Sequence, residues 1–102
     1  MKKAYFIGYV DGFSGEARLY RLSEPAEYYC VDEGKVLHCD YVVVSAIVGP
    51  WFGVETYIFP ADKDGKVLSW GEMDGSCRGV WDHELVLRKA GYEVVSHLES
   101  EE

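Results

Sequence analysis

The sequence predicts an α+β fold: an antiparallel β-sheet of about five to seven strands built from hairpins, with one C-terminal helix packed on one face. Three observations point there. Runs rich in Val, Ile, Tyr and Phe recur along the chain, separated by Gly, Asp and Ser clusters that suit tight turns. One stretch, residues 80–90, switches to an apolar spacing of three to four, the helical period. A chain of 102 residues with 48% hydrophobic content suits a single core, which at this size buries about 60 to 65% of the unfolded chain's surface.

The elements follow in order. "AYFIGYV" and "EARLYRL" flank "DGFSG", and "EYYCV" and "KVLHCDYVVVSAIV" flank "DEG". Both linkers carry the turn residues of a hairpin. From Tyr41 to Val48 the second long run is apolar on both alternating faces, as expected of a central strand. "GPWFG" interrupts the pattern before "VETYIFP", and "ADKDG" turns the chain into "KVLSW", a third hairpin. After the helix, "YEVV" returns as a closing strand, so the expected order is six strands, one helix and a final strand.

Within the helix, Val80, His83, Val86 or Leu87, and Ala90 form one stripe with Trp81 and Leu85 beside it. Ser76 or Asp74 can accept hydrogen bonds from free amides near its start. Asp82 and Glu84 fall in the first turns, Arg88 and Lys89 in the last, and Gly91 supplies a left-handed cap. Eleven residues of helix span only ~16 Å. That is too short to cover five strands, so apolar sheet surface is left for loops, a symmetric partner or a ligand to close.

Composition narrows the function classes. Eighteen acidic against ten basic residues give a net charge of −8, which repels phosphate backbones and disfavours nucleic-acid binding. Cys30, Cys39 and Cys77 are odd in number and lack a CxxC spacing, as expected of reduced thiols in a cytoplasmic protein. The first apolar run is cut by Gly8 and ended by Asp11, too short for a signal peptide or a membrane span. Residues 1–98 read as one domain and 99–102 as a disordered acidic tail. Eight Tyr, four Phe and three Trp exceed what a small core holds, which assigns some rings to a contact surface.

No motif carries catalysis. Cys77 and His83 lie six positions apart, a rotation of about 240° on a helix, with no third residue to orient a Cys-His pair. "HELVL" lacks the second histidine of a zinc-protease motif. Cys30, His38, Cys39, Cys77 and His83 show no paired ligand spacing, so neither metal nor cofactor is expected. "DGFSG" joins two strands, unlike a nucleophile elbow. "GSCRG" remains as an anion site, in which Gly75, Ser76 and Arg78 at a helix start hold a small anionic ligand such as a nucleotide.

"YVVVSAI", "ETYIFPADKDGKVLSWGEMDGS" and "DHELVLRKAGYEVV", within residues 41–95, resemble small acidic proteins of unassigned function encoded by actinobacteria and their phages. Before residue 41 only the "ARLYRL" pattern matches. No catalytic residue comes with the resemblance. It implies a cytoplasmic accessory protein, phage-borne, of the kind that inhibits or modulates host proteins. With the aromatic surplus and the uncovered sheet, the expectation is a non-catalytic protein-binding module that contacts a protein partner, a second copy in a homodimer included, through Trp51, Phe52 and Tyr57.

Overall fold

A computed structural model describes residues 2–13, 15–30, 32–49, 53–69, 77–78 and 82–95. The fold is mostly sheet, with one short helix. Its elements are β1 (Lys2–Tyr9), β2 (Glu16–Cys30), β3 (Lys35–Gly49), β4 (Gly53–Ala61), β5 (Cys77–Arg78), α1 (His83–Lys89) and β6 (Tyr92–Val95). The sheet order is β5-β4-β3-β2-β1-β6. No described helix is long and apolar enough to cross a membrane.

The alternation of β3 explains why the sheet has two apolar faces. Val42 pairs with Tyr20 and Pro60, and Val44 with Arg18 and Ile58. Val42, Val44, Tyr20 and Ile58 share one core cluster with Val86 and Leu87 of α1 and with Tyr92. One residue out of phase, Val43 pairs with Leu19 and Phe59, and it packs in a second cluster with Ala17, Leu19 and Ala61 on the helix-free face. Val42, Val43 and Val44 are all at most 1% exposed, and each such side chain contributes roughly 1.5–3 kcal/mol on burial.

The sheet is mixed, whereas the sequence predicts an antiparallel one. Lys2–Tyr5 of β1 pair in parallel with Tyr92–Val95. Parallel neighbours need a crossover, and α1 provides it by carrying the chain from β5 at one edge to β6 at the other. "EARLYRL" and "EYYCV", expected as two strands, form the single strand β2, with an irregularity in pairing between Arg21 and Ala26. That irregularity absorbs Pro25, whose missing N–H a regular ladder would not tolerate. Among the described residues, "KVLSW" contributes an isolated bridge from Val67 to Ala61 in place of the expected strand.

The helix is also shorter than its apolar stripe. It begins at His83, because Asp82 has an extended backbone and its carboxylate accepts from the Glu84 and Leu85 amides. Asp82 is therefore the N-cap itself and not a first-turn anion. Val80, Trp81, Ser76 and Asp74, expected in or near the helix start, lie outside the described residues. The far end matches expectation: Gly91 has φ +98°, and its N–H donates to the Arg88 carbonyl.

β2 and β3 run fifteen residues each and outreach their neighbours. The β1 ladder ends at Leu22 and the β4 ladder at Tyr41. Beyond that, Ala26–Cys30 and Lys35–Cys39 pair only with each other among the described residues, as a two-stranded arm. Its inner face carries Ala26 and Tyr28 against the Tyr92 side of the core.

Candidate functional site

The helix-free face is laid out in cross-strand rows. Tyr5, Arg21, Tyr41 and Ala61 form one row, Leu19, Val43 and Phe59 the next, and Ala17, Ser45 and Tyr57 a third. Loops roof its centre. Val10 and Phe13 pack on the Leu19 cluster, and the buried Gly65 sits so near that a Cβ there would lie 3.1 Å from Val10. Gly65 has φ +84°, which lets the Asp62–Lys66 turn fold flat onto Val10. Around this roof Tyr5, Tyr41, Tyr57 and Phe59 are half-buried. The rings of Tyr57 and Phe59 are 6.0 Å apart, the Tyr57 hydroxyl donates to the Glu55 carboxylate, and the Arg21 guanidinium lies 4.5 Å over the Tyr5 ring.

The opposite face holds a polar cluster under the start of α1. His83 is 1% exposed, and its Nε2 lies 3.0 Å from the Glu16 carbonyl. A carbonyl only accepts, so Nε2 carries the hydrogen and donates. The Glu16 carboxylate accepts from Arg18 Nε at 2.6 Å and lies 3.9 Å from His83 Nε2. Burial lowers the His83 pKa below its ordinary value, against the raising effect of the Glu16 carbonyl. A neutral, enclosed imidazole tied to a strand carbonyl pins helix to sheet, and its burial keeps the ring away from solvent.

Among the described residues no three His, Cys, Asp or Glu side chains gather as a metal site. Cys30 and Cys39 are free and buried. Burial pushes the Cys39 thiol up to about 11, so it stays protonated and unreactive near neutral pH.

The expected site residues divide. Tyr57 stands on the helix-free face. Trp51 and Phe52 lie outside the described residues, between Gly49 and Gly53, whose pairing closes the β3–β4 ladder. Gly75 and Ser76 are outside as well, while Arg78 lies in β5 opposite Glu55. The start of α1 is not at Arg78, which belongs to β5. It is at His83, and the amides that an anion would take there already bind the Asp82 carboxylate. An anion held at Gly75, Ser76 and Arg78 would therefore not draw on the amides of α1, and Gly75 and Ser76 lie outside the described residues.

Sequence reasoning missed the Glu16–Arg18–His83 contact and the stacking of cations on tyrosines. The signal was present in "EARLY", where Glu16, Arg18 and Tyr20 alternate onto one face. No protein-family model, curated protein or solved structure matches the chain.

Proposed function

We propose that the chain is a non-catalytic protein-binding module whose contact surface is the helix-free face together with the segment that joins β3 to β4. The observation that carries this reading is the ring of half-buried aromatics, Tyr5, Tyr41, Tyr57 and Phe59, around a loop-roofed centre. Aromatic rings that keep one side in water add contact area at small entropic cost when a partner covers them. Trp51 and Phe52 belong to the same proposal, since the segment that bears them leads into β4, the strand that carries Tyr57. A second copy of the chain is the first partner to test, because Glu55, beside the ring of aromatics, is buried and bonded to Tyr57, and the roofing turn sets Lys63 and Lys66 beside Asp62 and Asp64. The setting implied by the sequence resemblance, a cytoplasmic modulator of a host protein, fits a module of this kind.

Sedimentation equilibrium over rising concentration tests the reading. Self-association is expected, with weakening in Trp51→Ala, Phe52→Ala and Tyr57→Ala while circular dichroism still reports the folded sheet. A wild-type chain that stays monomeric removes the homodimer. Variants that unfold instead of dissociating would show that these rings are core.

A further inference from the structure

The β2–β3 arm exposes an apolar pair on its outward face. Its outward face carries Glu27, Tyr29, Val36 and His38, which are cross-strand pairs, Tyr29 with Val36 and Glu27 with His38. Tyr29 is 58% and Val36 53% exposed, an apolar pair left in water at the end of a projecting hairpin. The Tyr29 hydroxyl reaches along the arm to 4.0 Å from where a Cβ on Gly34 would stand. Alternate residues of a strand direct N–H and C=O away from its partner, and past Ser23, whose hydroxyl accepts from the Lys3 amide, the outer edge of β2 has no paired strand among the described residues. An open ladder edge beside an exposed aromatic is a template for strand addition.

We propose that this β2 edge of the arm binds an extended, arginine- or lysine-bearing segment of a protein partner, with a cation seated on Tyr29. Charge selects that occupant. From Glu24 to Asp40 the arm has five carboxylates, Glu24, Glu27, Asp32, Glu33 and Asp40, against one lysine. Among the described residues, Lys35 reaches Glu33 and His38 reaches Glu27, at 3.4 and 3.5 Å. A second copy would set this acidic arm against itself, which like-charge contact disfavours. The protein elsewhere covers tyrosine rings with its own cations: Arg21 lies over Tyr5, Arg18 over Tyr9 and Lys2 over Tyr92. Among the described residues no cation lies over Tyr29, so a partner's cation can take that place.

The probe is a short synthetic peptide of alternating arginine and threonine, titrated into the full-length protein and followed by amide chemical shifts. The expected result is saturable binding, with shifts concentrated on Ala26–Cys30 and an affinity that falls as salt rises. Tyr29→Leu keeps the apolar bulk and removes the π face, and should weaken binding about two- to fivefold. Glu27→Gln combined with Glu33→Gln should weaken it similarly and flatten the salt dependence. The same peptide with glutamate for arginine should not bind. The proposal is overturned if Tyr29→Leu binds as wild type, if the shifts map to the helix-free face, or if the glutamate peptide binds equally. It is overturned too if the arginine peptide fails and Tyr29→Leu lowers self-association instead, which would make the arm a homodimer contact.

Discussion

At the scale of single residues, two glycines and one histidine have consequences that differ in kind. A Cβ at Gly15 would lie 1.9 Å from the Ala46 carbonyl oxygen and 3.0 Å from the Ile47 Cα, both backbone atoms of β3. Gly15 thus lets the β1–β2 loop lie directly on the central strand, and Gly15→Ala must push that strand or the loop away. A loss of about 1–3 kcal/mol or more is expected in urea denaturation. Gly8→Ala is the control, since a Cβ there meets nothing within 4 Å, and it should change stability little. For His83 the sign follows from its depressed pKa in the folded state. The unfolded chain takes up a proton near 6.5, while the folded chain, with Glu16, Arg18 and Asp82 facing the buried ring, takes it up only at lower pH. Stability should therefore be full above about pH 6.5 and decline as pH falls from there toward the folded-state value. His83→Gln should abolish that slope. The carboxyl of Asp62 is held below its ordinary 3.8 by the Lys66 amide, so it titrates in a lower window and leaves the test clean.

At the scale of elements, the turns and the end of the helix were legible because their chemistry is local. "KAGYEVV" needs only Gly91 to mark a stop, and the backbone there has φ +98°. The strain at this position is conformational, because the nearest outside atom to a built Cβ is the flexible Lys2 Cε at 3.8 Å. Gly91→Val should cost about 1–2 kcal/mol through the left-handed backbone, and Gly91→Asn clearly less, since asparagine enters that region more readily. Equal midpoints in chemical denaturation would contradict a left-handed cap. What was not legible depends on distant partners. Pro25 reads locally as a break, yet β2 continues through it because Ala26–Cys30 find Lys35–Cys39 across the arm. Nothing in "YEVV" says whether its neighbour runs parallel; that is decided by α1 crossing the sheet from β5. The stripe that includes Val80 and Trp81 overstated the helix, because periodicity carries no information about where Asp82 caps it. For the candidate site, Tyr57 was legible as an aromatic in a strand, but its membership of the helix-free face comes from the β3–β4 register.

At the scale of the whole molecule, the excess of eight negative charges acts on a chain in which five of the ten lysines and arginines are seen engaged locally. Arg18 bonds Glu16, Arg88 meets Glu84 at 3.4 Å, Lys35 meets Glu33, and Arg21 and Lys2 lie over tyrosine rings. Salt acts on these two features in opposite directions. It weakens the local pairs, but those at the surface contribute only about 0–1 kcal/mol each. It also screens the mutual repulsion of the uncompensated carboxylates, which opposes compaction and acts over the whole surface. Screening reaches a length of ~8 Å near 0.15 M, shorter than the 25 Å of the molecule's thinnest dimension, so most of the long-range repulsion is removed while contact pairs are only attenuated. Repulsion is therefore the larger effect, and the thermal midpoint should rise as sodium chloride is added from low ionic strength to about 0.15 M. A falling midpoint over the same range would mean that the paired cations, above all Arg18 under the start of α1, hold the fold more strongly than the net charge strains it.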